Sequence, residues 1–199
     1  MTEIKAFNRW ETTGVTVVDP GVQNYINLNA RIVPKTGGRN AVQKFHKSRT
    51  FIIERFMNKI MVSGHKAKKH KMSSGHNGGK AQMMAGIMIK VLETLEAKTK
   101  KNPIQVLATA LENAAPREEI IAIEYGGARY PKAVECAPQR RVDLAIRFMT
   151  QGAAQKAFNT KKRIEETLVD EIMNAFMLSA NSAAISKKNE LERQADSSR

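Results

Sequence analysis

The stretch EEIIAIEYGGARYPKAVECAPQRRVDLAIRFM, residues 118–149, contains the change of pattern that decides the fold. Its first part has β-branched runs on both sides of Gly126-Gly127, which is typical of a β-hairpin. An isolated hairpin is only marginally stable, so one flanked by helices is expected to project from a helical body and touch a partner. A hairpin packed flat on the core is the alternative, because its apolar residues alternate.

The second part of this stretch predicts a helix that begins at Pro138. Its inward residues have helical spacing: Val142, Ala145, Ile146 and Met149. Arg140 and Arg147 lie seven residues apart, hence on one face, with Arg141 beside the first. Arginines at a helix N-terminus suit phosphate, because the helix dipole and the guanidinium groups act together. Solvated side chains, or a pair with Asp143, are the alternatives.

Helical periodicity continues upstream of the hairpin. The strongest signal comes from six apolar residues that repeat on one helical face: Met84, Ile87, Met88, Val91, Leu92 and Leu95. Asn102-Pro103 supplies a cap and a first-turn proline for the next helix, which Pro116 ends. A shorter amphipathic helix is predicted from Arg49 to a stop at Gly64, with Arg55 and Lys59 on its polar face.

Downstream, a long amphipathic helix is predicted from Thr160. Its apolar stripe follows a basic start and consists of Ile164, Leu168, Ile172, Met173 and Phe176. The basic start opposes the helix dipole, so an anionic partner is expected there. The C-terminal ISKKNELERQADSSR predicts a short helix followed by disorder.

Residues 1–48 lack a sustained helical period and contain turn signals near Pro20-Gly21 and Gly37-Gly38. We predict an N-terminal arm with short strands around residues 15–18 (VTVV). The fold class is therefore mainly α: a helical bundle with a protruding β-hairpin and a basic extended N-terminal arm. The expected division is an arm over 1–48 and a helical domain over 49–199, with its hairpin at about 119–136 and a basic C-terminal tail.

The charge is concentrated in one block of the chain. The 199 residues carry a formal net charge of +14, and residues 31–101 hold 17 Lys and Arg but only 3 Asp and Glu. Dispersed charges of both signs would serve solubility, whereas one basic block favours a phosphate-binding face. A solvated charged face is the alternative.

Composition excludes several classes of protein. The single cysteine, Cys136, allows no intrachain disulfide and suggests a reducing compartment. No run of eighteen apolar residues is present, and the N-terminus is too polar for a secretory signal. We expect a soluble intracellular protein without a membrane partner.

The stretch SGHKAKKHKMSSGHNGGKAQMM, residues 63–84, superficially resembles a phosphate-binding loop. A Walker A loop needs one more residue before Gly79-Lys80 and a hydroxyl where Ala81 stands, so a nucleotide-dependent enzyme is disfavoured. Its histidines lie among lysines, which disfavours a metal. We predict neither a catalytic site nor a metal or other cofactor, and a mobile surface loop is the alternative to phosphate contact.

Six segments together carry a resemblance to a known family. They are PKTGGR (34–39), ERFMNKIMVSG (54–64), NPIQVLATALENAAPREE (102–119), GGARYPKAVE (126–135), PQRRVDLAIRFM (138–149) and SKKNELER (186–193). In this order they resemble the small-subunit ribosomal protein family number seven, in its archaeal and eukaryotic branch. The resemblance extends from about Ile4 to the C-terminus, although KAKKHKMSSGHNGGK is longer and more basic than the family's turn at that point.

The resemblance implies a helical bundle with a protruding hairpin that binds the 3′ major domain of small-subunit rRNA and starts assembly of the subunit head. It also implies neighbouring ribosomal proteins as partners, with the hairpin and C-terminus near exit-site tRNA and mRNA in the cytoplasmic small subunit. The expected rRNA contacts are Arg39, Lys44, His46, Lys47, Arg49, Lys66, Lys68, Lys69, Lys71, Lys80, Arg117, Arg140, Arg141, Lys161, Lys162 and Arg163. The expected tRNA-proximal residues are Gly126, Gly127, Arg129, Tyr130, Lys132, Lys187 and Lys188.

One other binding function stays open at this level. A sequence-specific DNA-binding regulatory protein would share the basic charge, although no pair of helices joined by a short turn predicts a recognition helix. Folded RNA is recognised largely through its shape and backbone, which fits the irregular basic block better.

Overall fold

The computed structural model describes residues 4–66, 69–70 and 75–199. Its longer helices are α2 (Ile52–Ile60), α3 (Ala81–Thr99), α4 (Pro103–Ala114), α5 (Pro138–Ala157), α6 (Ile164–Phe176) and α7 (Ala183–Asp196). A one-turn helix, α1 (Pro20–Gln23), precedes them, and short 3-10 turns cover Arg39–Ala41 and His46–Arg49. The strands form two antiparallel pairs: β1 (His65–Lys66) with β2 (Lys69–His70), and β3 (Glu118–Tyr125) with β4 (Ala128–Glu135).

The helices pack around one hydrophobic core. Helix α3 buries the six residues that periodicity predicts, from Met84 to Leu95. Helix α6 contacts α3, α4 and α5, and buries Leu168 and Ile172 completely. Asn102 caps α4, because its side-chain oxygen accepts a hydrogen bond from the backbone N–H of Ile104 at 3.0 Å.

The hairpin projects from this body, as predicted. Gly126 and Gly127 form its two-residue turn with φ angles of 58° and 80°, which only glycine adopts without strain. The base of β3 packs against α7, whereas the outer half of both strands is exposed and Tyr125 is 81% exposed. The outer hairpin is therefore free to contact a partner.

The strand prediction for residues 15–18 is wrong. These residues are irregular, and no neighbouring strand in the described chain pairs with them. The side-chain amide of Gln105 takes that place for one residue, since it accepts from the N–H of Thr16 and donates to its carbonyl, both at 2.9 Å. A β-branched run needs a partner strand to become β structure, and here a helix side chain lies where that strand would be.

Part of the N-terminal region belongs to the core. Trp10, Val17, Val22 and Ile26 are buried in the same hydrophobic cluster as the helices. This packing explains a second error, the placement of Arg55 on a polar helix face. Its side chain is 2% exposed and donates to the carbonyl of Tyr25 at 2.7 Å. The N-terminal segment covers the Arg55 side of a helix face that periodicity assigns to solvent.

The C-terminal helices also differ from expectation. Lys161, Lys162 and Arg163 precede α6 instead of forming its first turn, which contains Glu165 and Glu166 and so suits the helix dipole. Helix α7 spans 14 residues, longer than predicted, and the Ser182 hydroxyl caps it. Among the described residues, every helix is too short or too polar to span a bilayer.

Candidate nucleic-acid interface

A cleft of about 470 Å³ lies where the basic segment 36–50 meets α2 and α5. Four cationic side chains line it, and they come from all three elements: Lys47, Arg55, Lys59 and Arg147. Arg55 and Arg147 lie about 90 residues apart in the sequence, so only tertiary folding brings the cations of the cleft together. The cleft therefore brings together cations that lie far apart in the sequence around one concave surface.

The cleft contains more cationic than acidic side chains. Among the described residues, Asp143 is the only acidic one in the lining, and one carboxylate oxygen, Oδ1, serves both Lys47 at 2.8 Å and Arg55 at 3.1 Å. Among the described residues, Lys59 and Arg147 form no salt bridge. Four positive groups against one carboxylate leave the cleft with a formal charge of +3.

The pKa of Lys59 reflects this imbalance. Burial lowers the pKa of its ammonium group below the ordinary value, and repulsion from Arg147 and Lys47 lowers it further. The attraction of Asp143 offsets only part of these effects. An anion in the cleft would relieve the repulsion, so the electrostatics favour a phosphate or a similar ligand.

The basic segment is held in place by a buried carboxylate on α2. Glu54 Oε1 accepts hydrogen bonds from the backbone N–H and the hydroxyl of Thr36, at 2.7 and 2.6 Å. Asn40 donates to the Thr50 hydroxyl at 3.0 Å, which closes the segment on itself. These bonds fix one wall of the cleft before any ligand arrives.

Most predicted rRNA-contacting residues lie on the surface. Their side chains are exposed: Arg39, Lys44, Lys47, Arg49, Lys80, Arg117, Arg140, Lys161, Lys162 and Arg163; His46 is half-buried. Lys68 and Lys71 lie outside the described residues, as do the side chains of Lys66 and Lys69. Of the predicted contacts whose side chains the structure describes, only Lys47 lines the cleft.

The adjacent arginines at the start of α5 have different environments. Arg140 is exposed and forms a two-pronged pair with the carboxylate of Glu119 on β3. Arg141 is buried, donates to Asp19 at 2.6 Å and to the carbonyl of Pro116 at 3.2 Å, and so joins the N-terminal segment to the hairpin base. Two of its three guanidinium nitrogens, Nε and Nη2, are engaged inside the protein, so Arg141 is less available for the expected phosphate contact than Arg140.

Replacing Arg141 with Ala is expected to lower the free energy of unfolding by about 2 kcal/mol, because Asp19 is left partly buried without its partner. Arg140→Ala is the matched control on the same helical turn, and its exposed pair with Glu119 is worth at most about 1 kcal/mol. Urea denaturation of both variants checks this. Equal losses would show that the Arg141 pair contributes no more than a surface pair.

The predicted tRNA-proximal residues lie in two places. Gly126, Gly127, Arg129, Tyr130 and Lys132 occupy the exposed hairpin tip and return strand, where Arg129 lies 3.6 Å from Glu124. Lys187 and Lys188 lie on α7. Lys188 is half-buried and donates to the carbonyl of Asn113 at 2.9 Å, and burial lowers the pKa of its ammonium group. The structure therefore leaves Lys187 the more accessible of the two.

Sequence reasoning missed several residues of these surfaces. Lys59 and Arg147 were assigned only to helix faces, because nothing local shows that those faces meet Lys47. On the hairpin, the register pairs Ile121 with Lys132 and Ile123 with Tyr130, so that these side chains share one exposed face with Tyr125. The alternation of apolar residues is the signal that could have identified this face.

The described residues contain no cluster of three or more His, Cys, Asp or Glu that could hold a metal ion. The only thiol, Cys136, is buried beside Glu119; burial and the nearby negative charge raise its pKa to about 11. At neutral pH it is protonated and therefore a poor nucleophile.

The fold and the charge distribution define a basic helical protein with a concave cationic surface and a projecting hairpin. The chain belongs to the ribosomal protein S7p/S5e family, because the family model matches residues 22–199. The match confirms the resemblance found in the sequence. Since this is a family of ribosomal proteins, it also agrees with the prediction that the chain is not an enzyme.

Curated relatives match almost the whole chain. The small ribosomal subunit protein uS7 of Nanoarchaeum equitans is 50% identical over 99% of this chain and 100% of its own length. The uS7 protein of Methanosphaera stadtmanae is 46% identical over 97% of this chain and 97% of its own length. That of Archaeoglobus fulgidus is 41% identical over 99% of this chain and 96% of its own length. All three are archaeal, in agreement with the branch inferred from the sequence.

Proposed function

We propose that the protein is a structural component of the small ribosomal subunit and binds small-subunit rRNA without catalysis. The names of its near full-length relatives place them in that subunit. The observation in this chain that supports the proposal best is the +3 cleft, in which cations from three elements surround one carboxylate. An RNA backbone supplies the phosphates that such a surface lacks.

The finer proposal follows the family. The rRNA contact is with the 3′ major domain, where binding starts assembly of the subunit head beside neighbouring ribosomal proteins, in the cytoplasm. The loop at 65–80 lies against backbone phosphates, as do the basic segment 36–50 and the exposed residues Arg117, Arg140, Lys161, Lys162 and Arg163. Arg141 is left out of this set because its charge is used internally.

The hairpin tip and Lys187 are proposed to lie near exit-site tRNA and mRNA. The outer hairpin is exposed on both strands, and its register places Lys132 on the same face as Tyr130 and Tyr125. Cations beside exposed aromatic rings suit RNA, since they can contact a phosphate and a base together.

Binding to a 3′ major-domain rRNA fragment and to a shuffled RNA of equal length, each across a salt series, tests this function. The native fragment is expected to bind at least about tenfold more tightly at moderate salt, because shape recognition adds to the general phosphate attraction. Equal, steeply salt-dependent binding of both RNAs would reduce the protein to a general polyanion binder. Equal affinity for duplex DNA would instead favour the regulatory alternative.

A further inference from the structure

The cleft between segment 36–50, α2 and α5 is larger than a phosphate contact needs. Its volume of about 470 Å³ falls in the range of roughly 300–1,000 Å³ that is typical of sites for small molecules and cofactors. A phosphate on a flat basic surface needs only a few lysines and no enclosed volume. The size of the cleft therefore raises the question of what else accompanies a phosphate into it.

The cleft is lined by uncharged as well as cationic side chains. Besides the cations, it contains two exposed amide side chains, Gln43 and Asn58, and the apolar side chain of Ile146, which is 3% exposed. Each amide offers both a donor and an acceptor, the combination that pairs with the edge of a nucleobase. Ile146 adds an apolar contact to the floor of the cleft. Inorganic phosphate would use neither feature.

The charge fits one nucleotide. Lys59 and Arg147 form no salt bridge within the described chain, and Asp143 is already shared by Lys47 and Arg55. Arg55 also has a buried Nε without a hydrogen-bond partner in the described residues, so its charge is only partly satisfied. Asp143 repels an incoming anion, but the net charge of +3 remains attractive to a phosphate with one or two negative charges.

We propose that this cleft holds a single unpaired nucleotide of RNA, with its phosphate against Lys59 and Arg147 and its base edge against Asn58 and Gln43. The inference rests on the proposed rRNA-binding function and deepens it. Sequence-specific RNA recognition commonly uses bases splayed out of a helix, because their edges are then free to form hydrogen bonds. The cleft thus adds base recognition to a surface otherwise suited to the backbone.

NMR titration of the full chain with each of the four nucleoside 5′-monophosphates and with inorganic phosphate tests the proposal. At least one nucleotide is expected to bind about tenfold more tightly than phosphate, the effect of about two hydrogen bonds to the base, and to shift the side-chain amide signals of Asn58 and Gln43. Asn58→Ala should reduce the preference for nucleotide over phosphate to about threefold, because the hydrogen bond from Gln43 remains, and Lys59→Gln should weaken both ligands.

Asn189→Ala is the matched control, because Asn189 is an exposed amide on α7 and lies outside the cleft lining. It is expected to leave the titrations unchanged. Equal affinity for nucleotide and phosphate, or no shift at the cleft amides, would overturn the nucleotide site. Neither result would affect preferential binding of the rRNA fragment over shuffled RNA, so failure here is distinguishable from failure of the proposed function.

Discussion

Replacing Lys47, Lys59 and Arg147 together with Gln is expected to weaken binding to the rRNA fragment roughly 30-fold at about 0.1 M salt. We expect Lys59 and Arg147 to share one phosphate and Lys47 to contact a second, and Lys59 and Arg147 give up no salt bridge within the described residues to do so. The slope of log affinity against log salt should become shallower by about 1.4, since each of the two lost phosphate contacts removes about 0.7. Fluorescence anisotropy across a salt series measures both quantities.

The control removes the same total charge elsewhere. Lys5, Lys90 and Lys98 pair with Glu11, Glu165 and Asp170 at 2.7, 3.7 and 3.7 Å, and none of them lines the cleft. Their replacement with Gln lowers only the long-range attraction, so affinity should fall less than about fivefold. If both triple variants lost affinity equally, the cleft cations would contribute through net charge alone and the proposed contact would be wrong.

The fold was more predictable from the sequence than the cleft. The core face of α3 and the glycine turn of the hairpin depend on residues close together in sequence, so spacing and turn chemistry identify them. The cleft depends on Lys47, Lys59 and Arg147 meeting after the helices pack. No periodicity within one segment contains that information.

The same reasoning explains the errors over individual arginines. Arg140 and Arg141 are neighbours with identical chemistry, yet one is exposed and the other bonds to Asp19, about 120 residues away in the chain. Arg55 has helical spacing appropriate to a solvated face, but residues near Tyr25 cover it. A local pattern predicts which face of a helix is polar, whereas tertiary contacts decide whether that face meets solvent or another segment.

Replacing Glu171 with Ala is expected to lower the free energy of unfolding by about 3 kcal/mol, because several buried hydrogen bonds lose one common acceptor. Glu171 on α6 is fully buried and accepts from Lys156 Nζ at 2.8 Å, the Ser182 hydroxyl at 2.7 Å and the N–H of Ala184 at 3.0 Å. It therefore fixes the first turn of α7. Urea denaturation followed by circular dichroism measures the loss.

The Glu171 effect should concentrate in the C-terminal helix. Amide hydrogen exchange in α7 is expected to accelerate more than that in α3, since α3 makes no bond to Glu171. Glu166→Ala, an exposed position on the same helix, is the control and should change stability by less than about 0.5 kcal/mol. If α7 exchanged no faster in Glu171→Ala than in the control, other contacts would hold this helix, and the position of Lys187 would not depend on the buried carboxylate.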